Sequence, residues 1–256
     1  MKLEGNTILI TGGSAGIGLA LAEEFLAHDN KVIITGRNPS KLDAARQKNP
    51  GLEIFQCDVA DPIAIQKTAD AINSQFPELN VLINNAGVFD FINVAYPSKD
   101  LVAMMRELDI NVAGPIRTTS VFVETLKKNQ GTIINVTSGL AFVPIQCGPI
   151  YCATKAALHS YTISLRQQLA DFGVEVIELA PPGVHTDLTA DLPKDGDFKM
   201  LTTEELVTAT FNGLKAGKTL ITPGEAAQLR FMSRLAPGFI EGQLAKGSKP
   251  LVPSAS

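Results

Sequence analysis

Tyr151 and Lys155 are the pair of side chains in this chain best suited to moving a proton. They open and close the run Tyr151-Cys152-Ala153-Thr154-Lys155, inside a segment with helical periodicity. A spacing of i, i+4 puts both on one helix face, about one turn apart. Reduction of a carbonyl requires a proton delivered to the developing alkoxide. A free tyrosine has a pKa of about 10, and lowering it by about 3 units needs roughly 4 kcal/mol. One ammonium about 4 Å away supplies about that much at an effective dielectric near 20. A Tyr–Lys pair is therefore a physically sufficient acid/base. Ser138 stands at the end of a β-branched run, Ile133-Ile134-Asn135-Val136-Thr137. Its hydroxyl can bond the substrate oxygen and hold it near Tyr151.

A second constellation lies near the N-terminus, in Thr11-Gly12-Gly13-Ser14-Ala15-Gly16-Ile17-Gly18. Gly12 suits a tight turn, Gly16 a close backbone approach to phosphates, and Gly18 close packing of a helix on a strand. Backbone N–H groups of the loop (Ser14 and Ile17 included) and the helix N-terminus would receive a dinucleotide pyrophosphate. The spacing is GxxxGxG rather than GxGxxG. The second strand ends Thr35-Gly36-Arg37-Asn38 without the acid that would bond an NAD ribose and repel a 2′-phosphate. A guanidinium at Arg37 fits a phosphate through two parallel hydrogen bonds. Arg37, with Ser14 and Asn38 beside it, predicts NADP(H) as preferred cofactor, with NAD(H) possible. An exposed arginine opening the next helix is the competing reading. A Gly-rich turn alone also fits a plain strand-to-helix junction, but its place at the first β-α junction of a β-α-β chain favours the dinucleotide reading.

The elements that must hold these groups alternate. Strands are predicted at 7–11, 31–35, 53–56, 81–84, 131–137, 175–179 and 218–221. Helices are predicted at 17–27, 62–76, 100–126, 149–172, 203–214 and 225–244, with Pro237-Gly238 expected to break the last. Pro39-Ser40 and Pro97-Ser98 read as loop or cap signals. Repeated β-α-β units predict an α/β, Rossmann-like doubly wound domain: one seven-stranded parallel sheet with helices on both faces. It would span residues 1–245, with a substrate loop at about 186–202, a C-terminal helix at about 225–245 and a frayed or docked tail at 246–256.

Composition narrows the function. Hydrophobic residues make up 45% and charged residues 19%, enough for a buried core and too little charge for disorder. The net charge of −4 and the absence of a basic run argue against a nucleic-acid partner. No apolar stretch reaches the ~18 residues of a membrane span. The N-terminus passes directly into a short, Gly-flanked apolar run unlike a signal peptide, so the chain reads as cytoplasmic. Cys57, Cys147 and Cys152 form no CxxC pair, and His28, His159 and His185 have no ligand spacing, so no metal is expected.

In combination these features resemble the short-chain dehydrogenase/reductase family over about residues 5–225. The matching motifs are Thr11 to Gly18, Asp58-Val59, Asn84-Asn85-Ala86-Gly87, Asn111, Ser138, Tyr151 with Lys155, and Pro182-Gly183-Val184-His185-Thr186. The resemblance implies that Tyr151 donates or accepts the proton while Lys155 lowers its pKa and bonds the nicotinamide ribose. Ser138 would orient the substrate, and Asn111 would hold a relay water. Asp58 would bond the adenine, with Val59 beside it. Asn85, Ala86 and Gly87 would line the adenine-ribose side, and Pro181, Val184 and Thr186 the nicotinamide end. The family further implies hydride transfer from the B face of the nicotinamide.

Resemblance also implies a homodimer or homotetramer through the helices at 100–126 and 149–172. In texture the chain resembles the bacterial reductases named after the lipoteichoic-acid D-alanylation operon. Ala15 departs from a basic residue that many NADP-preferring members carry there. A pocket lined by Leu140, Phe142, Val143, Cys147 and Ile150, with the loop at 188–200, predicts a hydrophobic carbonyl or secondary alcohol as substrate. A dinucleotide-binding redox sensor or scaffold without catalysis, and an NAD-preferring dehydrogenase, are the alternatives.

Overall fold

A computed structural model of the chain describes residues 1–96, 100–190 and 200–253. Among these, seven strands form one parallel sheet in the order β3-β2-β1-β4-β5-β6-β7. The strands are β1 (Thr7–Thr11), β2 (Lys31–Gly36), β3 (Leu52–Gln56), β4 (Val81–Asn84), β5 (Thr132–Val136), β6 (Glu175–Leu179) and β7 (Leu220–Ile221). The order reverses between β1 and β4, which opens a crevice at their C-terminal ends.

Burial on both faces explains the unbroken apolar strands. Ile8, Ile10, Val32 and Ile34 face one core with Leu21, Phe25 and Phe211. The alternate residues Leu9, Ile33, Leu82 and Ile133 face the other with Ile72, Phe122 and Leu165. Burial of each such side chain is worth roughly 1.5–3 kcal/mol.

Helices α1 (Gly16–Ala27) and α7 (Thr203–Lys215) cover the first face. Helices α3 (Pro62–Gln75), α5 (Gly114–Lys128) and α6 (Pro149–Leu169) cover the second. Helix α2 (Pro39–Lys48) was not expected from periodicity. It buries only Leu42 and Ala45, too few positions to show a stripe, yet Asn38 caps it and Pro39 starts it.

Two expected helices are interrupted. The segment predicted as one helix at 100–126 is a 3₁₀ turn (Ala103–Met105), a short α4 (Arg106–Leu108), a π segment (Asp109–Ala113) and then α5. Gly114 donates to the Asp109 carbonyl, and Pro115 has no N–H for the carbonyl four residues back, so the regular ladder cannot continue. The C-terminal segment divides at Ala236 into α8 (Glu225–Leu235) and α9 (Pro237–Ser248), the break that Pro237 was expected to make. Of the chain beyond 245, residues 246–253 are described, and they are docked rather than frayed. Helix α9 runs to Ser248 and a 3₁₀ turn follows at Lys249–Leu251. Ser248 accepts from the backbone N–H of Gln146 (2.9 Å), and the Asn93 amide donates to the Pro253 carbonyl (2.7 Å). Among the described residues no helix is long and apolar enough to cross a membrane.

Candidate active site

The crevice between β1 and β4 opens into a cavity of ≈ 1010 Å³ along the C-terminal edge of the sheet. Its first wall is the turn after β1. Gly12 takes φ +66°, and a Cβ there would stand 2.9 Å from the Ala86 Cα. At Gly18 a Cβ would come within 2.4 Å of the Asn85 side chain and the Gly12 carbonyl, so only glycine lets α1 lie this close. Thr11 ties this turn to the one after β4. Its Oγ1 accepts from the backbone N–H groups of Asn85 (3.0 Å) and Ala86 (3.1 Å). The Asn85 amide donates back to the carbonyls of Thr11 (2.9 Å) and Gly12 (3.1 Å).

Helix α1 starts at this wall after Ala15, with no side-chain cap and no acidic residue in its first turn. Helices α2, α3 and α7 are capped by Asn38, Asp61 and Thr202. The open N–H groups of α1 and the side-chain-free cradle fit a pyrophosphate. Gly12, Ser14, Gly16 and Ile17 line the cavity. Gly18 does not, because it sits behind the wall at the helix–strand contact.

Farther along stand Arg37 and Asn38, then Asp58 and Val59, all lining the cavity. The Asp58 carboxylate accepts from the Ala60 N–H (3.0 Å). Lys41, which sequence reasoning passed over together with α2, lines the same end and pairs with Asp187 at 3.1 Å. Asn85, Ala86, Gly87, Pro181, Val184 and Thr186 complete the long wall.

At the other end Ser138, Tyr151 and Lys155 meet. Ser138 leaves β5 in extended conformation and accepts from the Leu140 N–H (3.1 Å). Below it Thr137 donates to the buried Glu178 carboxylate at 2.7 Å, and His159 Nδ1 lies 2.8 Å from the same group. Helix α6 carries Tyr151 and Lys155 on its inward face. Lys155 donates to the Val136 carbonyl at 2.9 Å, with its nitrogen 5.6 Å from the Tyr151 ring centre. Asn111, inside the π segment, accepts from the Val88 N–H (2.9 Å) and donates to the Val88 carbonyl (2.9 Å) and Thr154 (3.1 Å). It is fully buried behind Gly87, where a Cβ would stand 3.4 Å from Asn111 Oδ1 and 3.6 Å from Lys155 Nζ.

The electrostatics differ from the expectation that Lys155 makes Tyr151 acidic. Burial pushes the Tyr151 phenol well above its ordinary range, and the hydrogen bond with Ser138 only partly opposes it. Burial also pushes Lys155 down to about 8. In the protein alone desolvation is the largest influence on both groups.

The substrate end needs two further corrections. Leu140 lines the cavity, but Phe142 and Cys147 do not. Phe142 packs edge-on against His159 at 5.1 Å, and Cys147 is fully buried beside Ile145 and Cys152. Val143 and Ile150 are likewise absent from the wall, which instead includes Phe89, Ile145, Leu229, Leu244 and Leu251, with Glu225 at the start of α8. For Leu229 and Leu244 the signal is faint, since they read as apolar residues of an ordinary amphipathic C-terminal segment. Of the expected substrate loop, Leu188, Thr189 and Met200 line the cavity, while 191–199 lie outside the described residues. Among the described residues no His, Cys, Asp and Glu cluster could hold a metal.

A family model described as short chain dehydrogenase matches residues 6–197. An uncharacterized oxidoreductase, DltE of Bacillus subtilis (strain 168), is 43% identical over 237 residues, which cover 91% of this chain and 94% of that protein. Serine 3-dehydrogenase of Agrobacterium fabrum is 33% identical over 72% of this chain and 74% of its own. A solved short chain dehydrogenase from Burkholderia cenocepacia J2315, in complex with NADP, superposes with a TM-score of 0.84 at 26% identity over 95% of this chain and 99% of that one. The doubly wound sheet thus has its counterpart in a solved short chain dehydrogenase, and the chain belongs to the short-chain dehydrogenase family of nicotinamide-dinucleotide-binding oxidoreductases.

Proposed function

We propose that the protein interconverts a carbonyl and a secondary alcohol on an apolar small molecule, with Tyr151 as the general acid/base and NADP(H) preferred over NAD(H). The observation that carries this reading is the convergence of Ser138, Tyr151 and Lys155 at one end of the cavity whose other end is the glycine cradle. When bound, the nicotinamide supplies or accepts the hydride and, oxidised, carries a positive charge that favours the phenolate. The Tyr151 hydroxyl gives its proton to the alkoxide oxygen during reduction and takes it back during oxidation. Ser138 holds that oxygen, Lys155 holds the ribose hydroxyls, and Asn111 positions the helix and a water behind them.

For the cofactor, Arg37 just after β2 and Lys41 in the first turn of α2 are two cations at one end of the cavity, and no carboxylate follows the strand. A 2′-phosphate would take parallel hydrogen bonds from Arg37 and draw on the charge of Lys41, which is otherwise paired with Asp187, whereas a bare ribose offers no anion to either. Leu140, Ile145, Phe89 and Leu229 make the substrate end apolar. The proposed assembly is a homodimer or homotetramer through α5 and α6, on whose outer faces Ile116 and Ile163 are exposed. Sedimentation as a monomer at micromolar concentration would reject it. The reaction itself is tested by following NADPH absorbance with ketones, aldehydes and quinones. Turnover by the wild type with loss in Tyr151→Phe supports the reading, and turnover surviving in that variant removes it.

A further inference from the structure

Glu107 is a buried carboxyl group within electrostatic reach of both Tyr151 and Lys155. It is 1% exposed and lies in α4, just before the π segment. One oxygen accepts from the Asp90 N–H at 3.0 Å. The other is buried with no hydrogen-bond partner among the described residues. Asn111 follows on the same helical stretch and grips Val88. The two side chains together hold the segment that presents Phe89 edge-on to Tyr151, with ring centres 4.9 Å apart.

An anchor for one N–H does not require a charge. A glutamine accepts equally well, whereas a carboxylate buried with one bare oxygen costs free energy unless a cation repays it. The groups whose charge bears on Glu107 identify that cation. From the segment after β4 there is Asp90, and from its own element Arg106, both exposed. From α6 there are Tyr151, Cys152 and Lys155. Among these Lys155 is the buried cation, and its Nζ lies behind Gly87 with the side chain of Asn111, four residues on from Glu107 in the same helical stretch. Burial raises Glu107 to about 7 and lowers Lys155 to about 8, while each charge draws the other back toward its ionised form.

We propose that Glu107 is a positioning residue for this reaction: its buried carboxylate, anchored by Asp90 and bare at one oxygen, keeps Lys155 in the ammonium form. The inference rests on the Tyr151–Lys155 reading for its effect on turnover. Protonation of Glu107 on the acid side and deprotonation of Lys155 on the basic side then both disarm the site.

Two readouts test it on the full chain. In a ¹³C-carboxyl NMR titration, one carboxyl titrates near pH 7 in the wild type and is missing in Glu107→Gln. In Lys155→Met its midpoint rises by about one unit. In the pH profile of kcat/KM, Glu107→Gln, which keeps the acceptor for Asp90, loses the acid limb near 7. Its basic limb falls by about one unit. The proposal is overturned if no carboxyl titrates above about 6, if Lys155→Met leaves the midpoint in place, or if Glu107→Gln lowers kcat/KM equally at every pH, as a mere anchor would. Should Lys155→Met fail to fold, the Glu107→Gln profile decides. Turnover surviving in Tyr151→Phe would instead remove the Tyr151 reading and leave the NMR coupling measurable.

Discussion

Lys155 donates to the main-chain oxygen of Val136 at 2.9 Å, which ties α6 to the end of β5 just where Ser138 leaves the sheet. One buried ammonium therefore sets the position of the helix bearing Tyr151 relative to the strand bearing Ser138. Lys155→Met is expected to lower kcat/KM by about 10²-fold or more, in the range for a lost acid–base element. KM for the cofactor should rise in parallel, because the ribose loses a donor. Steady-state kinetics with cofactor varied checks both; an unchanged cofactor KM would separate Lys155 from the ribose.

Arg37→Ala is expected to reduce kcat/KM for NADPH by about tenfold or more, since a hydrogen bond to a charged group is worth roughly 1.5–3 kcal/mol. Values for NADH should stay level. Lys41→Ala should act in the same direction and more weakly, because Lys41 is exposed and already paired with Asp187. Equal loss for both cofactors would show that these side chains do not read the 2′-phosphate.

Stability should depend on pH through Glu107. Its pKa in the folded chain is raised from 4.5 to about 7, so the folded state binds more protons than the unfolded one between those values. Stability from this group is full below about 4.5 and is lost as pH rises toward about 7. Glu107→Gln removes that loss. Thermal unfolding across this interval should show the variant gaining on the wild type as pH rises; parallel curves would place the carboxyl outside the buried environment.

Leu251, with Leu244 and Val252, packs in the apolar cluster around Tyr151, and Leu244 and Leu251 line the substrate end of the cavity. Leu251→Ala is expected to raise kcat/KM for bulky carbonyl compounds relative to small ones, with cofactor KM unaltered. Kinetics on a homologous ketone series checks this, and a uniform loss across the series would make Leu251 purely structural.

What could be read beforehand follows from how locally each feature is encoded. The strands Thr7–Thr11 and Val81–Asn84 are apolar because both faces are covered, and their runs are visible in the chain. The glycine cradle and the Tyr151–Lys155 spacing are equally local. Helix α2 buries two side chains only, too few for an apolar stripe to be visible in the chain. The π segment at Asn111 arises from Pro115 acting on a ladder that apolar periodicity does not report. Phe142 is expected in the pocket, whereas beyond the turn Gly139–Ala141 its ring packs against His159. Lys41, Leu229 and Leu251 reach the cavity through tertiary contacts that no short motif announces.

The most direct measurement is single-turnover reduction by Tyr151→Phe beside the wild type, at saturating NADPH and with an apolar ketone that the wild type turns over. The phenylalanine keeps the ring in place against Phe89 and removes only the hydroxyl. A fall of about 10²–10⁴-fold in the chemical step with cofactor binding intact is predicted; a step of wild-type speed would contradict the account.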